Sequence, residues 1–314
     1  MSKFAPAAAA AAILIFTGSS LYPFPPGEGR SPSPVKKVEL LVVDAGGHDP
    51  SSSLGRSGSP AVAPGPIRVG FLVELEPGWH LYWANPGDAG LAPVVRWTLP
   101  AGFEAGPLIH PVPAKLIDGD LVSFEHDSPV LLFCDIAPAA GLPHGCPWRA
   151  SAVLEWMACK ESCITGETAV RLAFPPDDAG VRRARELAEA VAVRFPRPLS
   201  EGGLSVEEAR AGRSGGDWLI EIALSGPRAG EAVDFYPYPL EDFVIGHAGI
   251  VCRDGKITMP LTPSRGGGSP PPAAVAGLVI VGGTGYEISA PVAPRPPAFV
   301  IGTQTINPWR SHHE

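Results

Sequence analysis

The chain is 314 residues long, carries a formal net charge of −8 and devotes only 18% of its residues to charged side chains against 45% apolar. That balance excludes a wholly disordered chain, and without a basic stripe it argues against a nucleic-acid partner. Glycine (37) and proline (38) together approach a quarter of the chain, which disfavours long helices, and no glycine-every-third period points to collagen. The length suggests two domains.

Lys3, the apolar run 6–16 and the small residues Thr17-Gly18-Ser19-Ser20 have the plan of a secretory signal peptide over 1–20. The run is short for a membrane span, and an uncleaved anchor reaching Leu21 or Tyr22 is the alternative. Export places the remainder in the periplasm, where disulfides persist. Residues 21–34 read as a flexible leader. A short strand is expected over 36–43, followed by a Gly/Ser/Pro-rich loop. From 67 to 76, Ile67, Val69, Phe71, Val73 and Leu75 alternate with a period of two, the mark of a half-buried strand. Further short strands are expected at 79–83, 94–99, 121–124, 129–136, 151–158 and 168–174, with the proline-rich stretch 107–113 irregular. A helix is expected over 177–194, capped by Asp177 or Asp178 and ending before Pro196. A second series of strands runs from 217 to 291, and the tail 304–314 reads as frayed. The fold class is all-β: two immunoglobulin-like sandwiches, 35–175 and 217–303, joined by a helical linker over 176–216.

Five cysteines are too few for a disulfide scaffold. Cys159 and Cys163 stand three residues apart between two expected strands. Extended chain would carry their Cα atoms about 13 Å apart, so bonding requires a reversal at Lys160-Glu161-Ser162. A three-residue hairpin supplies it and leaves the sulfurs at a chain turn, open to a partner thiol. No helix dipole activates either thiol, and Lys160 is offset by Glu161, so the pair reads as passive. Spacing alone leaves three readings open: an exchanging pair, a structural staple, and a thiolate metal site helped by His110, His126 or His144. Cys134 lies in an apolar strand as a small hydrophobe or, alternatively, bridges Cys146 across an edge loop. Cys252 is expected to stay single. Trp79, Trp83, Tyr82 and Trp156 are expected in the core or at its rim.

The ordered set Pro77-Gly78-Trp79-His80-Leu81-Tyr82-Trp83, Asn85-Pro86-Gly87-Asp88-Ala89-Gly90, Trp97, Leu99-Pro100, Gly102-Phe103, Trp156, Cys159, Cys163 and Gly166 resembles the N-terminal periplasmic domain of the thiol:disulfide interchange protein DsbD, in particular its ScsB-like form. Asp234-Phe235-Tyr236-Pro237 resembles that form's second β domain. The resemblance implies a redox pair at Cys159 and Cys163 that needs no cofactor or metal. It implies two classes of partner, a membrane-embedded thiol reductase and periplasmic thioredoxin-like or disulfide-isomerase proteins. It also implies a cap over the pair. Segment 113–120 would supply it through Leu116 or Ile117, with Phe124 as the nearby aromatic and Trp156 at the rim. The chain departs from relatives at Thr165, where many carry proline, and in a shorter loop between the cysteines. It is expected to be one component of a protein-disulfide reductase, without a membrane or thioredoxin-like domain of its own.

Overall fold

The structure, a computed structural model, describes residues 33–44, 65–137, 147–265 and 269–294. The expected signal peptide, most of the leader, the tail, His144 and Cys146 lie outside the described residues.

In the first half the strands are β1 (Val35–Asp44), β2 (Ile67–Leu75), β3 (His80–Gly87), β4 (Val94–Thr98) and β5 (Glu104–Ala105). They continue with β6 (Ala114–Asp118), β7 (Leu121–Asp127), β8 (Val130–Ala137), β9 (Trp148–Cys159) and β10 (Cys163–Phe174). One sheet runs β1-β2-β8-β5 and the facing one β10-β9-β3-β7-β6, with β4 alongside β9. Their inner faces bury Val69, Phe71, Val73, Leu81, Leu132, Ile136, Leu154 and Ala158 in one core. The alternation in β9 is strict: Ala150, Ala152, Leu154, Trp156 and Ala158 point inward, and the residues between them are more exposed. Such a strand can hold only one register, because a slip of one residue would turn its apolar set to water.

Strand β2 is buried on both faces. Helix α1 (Asp178–Val191) explains this by covering the outer side of the first sheet. Ala184, Leu187 and Val191 pack on Leu41, Leu72, Leu131 and Phe133, and Phe195 stacks on Phe133 at 4.4 Å. Asp177 caps the helix by accepting the Gly180 amide at 2.7 Å, which satisfies one of the free N–H groups of the first turn.

The second half holds β11 (Arg197–Pro198), β12 (Ser205–Ser214), β13 (Asp217–Ser225), β14 (Ala232–Pro237) and β15 (Phe243–Ile245). After them come β16 (Val251–Arg253), β17 (Lys256–Pro263), β18 (Ala274–Val281), β19 (Thr284–Pro291) and β20 (Ala293–Pro294). The sheets run β11-β19-β18-β14 and β15-β17-β13-β12-β20, with β16 beside β17. Ile220, Ile222, Phe235, Ile257, Met259, Val279 and Ile288 form the core between them. The fold is therefore two immunoglobulin-like β-sandwiches with one short helix between. The expected linker differs in detail: β12 lies within 176–216 and is built into the second sandwich. The strand expected over 79–83 is also different, since β3 continues to Gly87 through an irregularity between Tyr82 and Gly87 in its pairing with β7.

The sandwiches meet at this irregular part of β3. Trp83, Val122 and Phe124 pack on Tyr236, Leu278 and Ile280. The Asn85 amide nitrogen donates to the Pro237 carbonyl at 2.8 Å and faces His247 Nε2 at 3.2 Å. His247 Nδ1 lies 2.9 Å from Asp88 Oδ1, while Asp88 Oδ2 accepts the Val122 amide at 2.8 Å. With the imidazole hydrogen on Nδ1, every bond in this chain has one donor and one acceptor, as buried polar groups require. Lys115 spans the same joint to Asp234, 2.9–3.0 Å from both carboxylate oxygens.

Candidate functional site

Strands β9 and β10 pair without a break from Trp148↔Phe174 up to Cys159↔Cys163. The chain reverses over Lys160-Glu161-Ser162, closed by a 3.1 Å bond from the Lys160 amide to the Ser162 carbonyl. The uninterrupted register brings the two cysteines opposite each other with Cα atoms 4.1 Å apart, and they form a disulfide. The two sulfurs belong to unequal residues: Cys159 is 3% exposed, whereas Cys163 is solvent-exposed at the sheet edge.

The outer face of the sheet surrounds the bond with polar groups. His80, at the start of β3, is the cross-strand partner of Cys159 on one side, as Cys163 is on the other. The Tyr82 hydroxyl donates toward Cys163 Sγ at 4.0 Å. Burial, and then the Glu125 charge, hold that phenol above its ordinary value, so it stays a donor. His80 Nδ1 lies 3.4 Å from Glu125 Oε2, and the Ser123 hydroxyl donates to Glu125 Oε1 at 2.6 Å. Beneath the Tyr82 ring sits Gly90 at φ +96°, where any Cβ would overlap the ring. The loop through Gly90 is thereby held against the ring whose hydroxyl faces Cys163.

The remaining expected site residues fall elsewhere. Leu116 and Ile117 lie on β6, three strands from β9 in the sheet, and are 51% and 65% exposed. At about 4.8 Å per strand, that is roughly 14 Å away before any offset along the strands, so they do not cap the bond. Segment 113–120 was expected as a covering loop; it forms a hairpin arm with β7 instead. Phe124 is fully buried at the joint between the sandwiches. Trp156 packs over Gly166 in the core under the hairpin, its indole donating to the Thr168 hydroxyl at 3.1 Å. Trp83 serves the joint rather than the first core.

Cys146, the alternative partner of Cys134, lies outside the described residues. Cys134 is a free buried thiol that donates to the Gly106 carbonyl at 3.2 Å, and burial pushes it up to about 11. Cys252 is free as expected, and is pushed up to about 12 by burial and the Asp234 charge. His110 and His126 meet each other, 3.4 Å between Nδ1 and Nε2, rather than the cysteine pair. Among the described residues no cluster of three or more His, Cys, Asp or Glu side chains could hold a metal ion.

Fold and site together define a class: an immunoglobulin-like sandwich carrying a hairpin disulfide at its edge. Residues 57–175 match the family described as thiol:disulfide interchange protein DsbD, N-terminal. The crystal structure of the N-terminal periplasmic domain of ScsB from Proteus mirabilis is similar with a TM-score of 0.53 at 17% identity, over 73% of this chain and 88% of that one. The likeness is one of fold. The crystal structure of invasin, a bacterial integrin-binding protein, aligns with a TM-score of 0.17 and 11% identity over 83% of this chain and 40% of that one, too little to define a shared fold. No curated protein matches the sequence.

Proposed function

We propose that the chain is a periplasmic thiol:disulfide exchange module. It receives electrons from a membrane-embedded thiol reductase and passes them to periplasmic thioredoxin-like or disulfide-isomerase proteins. The observation that carries this reading is the asymmetry of the hairpin disulfide, with Cys163 open to solvent and Cys159 buried behind it. Exchange proceeds by attack of a thiolate along the S–S axis. The donor's thiolate attacks Cys163 Sγ, the bond to Cys159 breaks, and Cys159 leaves with the electron pair. The donor's second thiol then resolves the mixed disulfide, leaving both cysteines reduced. Delivery to an acceptor runs the same steps in reverse. Exchange requires an accessible cysteine such as Cys163 at the sheet edge, whereas a staple does not. The resident chemistry needs no cofactor.

The test is a trapping experiment in the periplasm. Cys159→Ser keeps the exposed Cys163 and removes the residue that would release a bound partner, so it should accumulate a mixed disulfide with a thioredoxin-like protein. Cys163→Ser should accumulate far less. A Cys159→Ser protein that traps no thiol protein would sink the exchange reading.

A further inference from the structure

We propose that His80 is a catalytic residue of the pair, taking up and returning the proton of Cys159, with Glu125 as its positioning residue. The inference rests on the exchange reading and adds to it the means by which the buried sulfur changes protonation state.

The sheet register sets the neighbours. Cys163, Cys159 and His80 are consecutive cross-strand partners on β10, β9 and β3. Directly opposed residues of antiparallel strands project their side chains to the same face with Cβ atoms about 5 Å apart. The imidazole is then fixed from two sides. Tyr82 meets it edge-on at 5.4 Å, and Glu125 stands at Nδ1, itself anchored by the Ser123 hydroxyl. A carboxylate only accepts, so Glu125 at 3.4 Å favours the tautomer with the hydrogen on Nδ1 and a lone pair on Nε2. That Nε2 atom is buried and has no hydrogen-bond partner among the described residues. A buried lone pair without a donor is costly, and the neighbouring Cys159 thiol of the reduced protein is the donor that would relieve it.

The proton balance follows. On reduction, Cys159 leaves Cys163 as a thiolate and takes, by way of His80 Nε2, the proton that the donor's second thiol gives up as it resolves the mixed disulfide. On delivery, Cys163 thiolate first attacks the acceptor disulfide and forms a mixed disulfide. The Cys159 S–H proton then passes to Nε2, and the thiolate attacks Cys163 Sγ. The Cys159–Cys163 bond forms as the acceptor's sulfur departs, and that sulfur takes the proton back. The other ionisable groups facing this corner are Asp127 opposite His80 on β7, Tyr82 on β3 and Lys160, whose side chain lies over Gly78. Asp127 and Lys160 are exposed and screened by solvent.

Thiolate absorbance in a Cys163→Ser protein isolates Cys159 when the Cys159→Ser/Cys163→Ser spectrum is subtracted. His80→Gln should move the Cys159 titration upward and slow reaction with a small disulfide about tenfold near pH 7, the loss shrinking in alkali where the thiol ionises unaided. Glu125→Gln, which keeps the side-chain shape, should shift the titration the same way by less. An unchanged titration in both variants overturns the role of His80 and leaves the exchange reading intact. A shifted titration, with a Cys159→Ser protein that traps no partner, would uphold the pairing of His80 with Cys159 and remove the exchange reading alone.

Discussion

At the scale of single residues, the site depends on side chains that stand beside the two cysteines from an adjoining strand. Gly90 is the most constrained of the supporting positions. Its φ is one that L side chains rarely adopt, and its α-hydrogen faces the Tyr82 ring. Gly90→Ala should therefore destabilise the protein by about 1–3 kcal/mol, read as a lower urea midpoint. It should also displace the Tyr82 hydroxyl from Cys163, read as a change in tyrosine fluorescence on reduction of the pair. A substitution with neither effect would mean that this loop does not hold the ring. The two cysteines were legible in the sequence because their spacing admits few geometries once the flanks are strands. His80 and Glu125 were not. Nothing in a linear pattern says which residue of β3 will stand beside Cys159, since that is fixed by a register set elsewhere, in the inward alternation of Ala150 to Ala158.

At the scale of elements, strands with strong alternation, such as Ile67–Leu75 and Asp217–Ser225, were readable, and so was the capped helix after Asp177. Ser205–Ser214 was not, because its inward positions are the small residues Ala209 and Ala211, whose contrast with their polar neighbours is weak. Ala114–Asp118 follows Pro111 and Pro113 and so reads as loop, yet it pairs with β7 along its whole length. Its misplacement carried the expected cap with it. The neighbouring pair His110 and His126 has a consequence for acid stability. Burial lowers the two imidazoles to about 4 and about 3, His126 being lowered further by His110. The unfolded chain binds these protons near pH 6.5 and the folded one does not. Their contribution to stability is complete above that value and is lost as pH falls from about 6.5 through about 4 for His110 and about 3 for His126. Between pH 7 and pH 5 the loss should reach about 2 kcal/mol per histidine at most. His126→Gln should flatten the decline in urea midpoint over that range; an equally steep decline would assign it to other groups.

At the scale of the whole molecule, the sandwiches are joined by an apolar cluster and a fully paired polar chain through Asn85, His247 and Asp88. Removing the imidazole leaves Asp88 and Asn85 without their shared partner, a loss larger than the bond itself contributes when the groups stay buried. His247→Ala should accordingly separate heat unfolding, followed by calorimetry, into two transitions where the wild type shows one. A single transition in the variant would mean that the apolar contacts alone couple the halves.

That same joint bears on any attempt to handle the cysteine-bearing half by itself. Trp83 and Phe124, both wholly covered here, would become a greasy patch once the chain was cut near the helix. A fragment ending there would tend to stick to itself, and its sulfur reactivity would then report on clumping as much as on the pair. Polar replacements at those two positions would be the first requirement for a well-behaved piece.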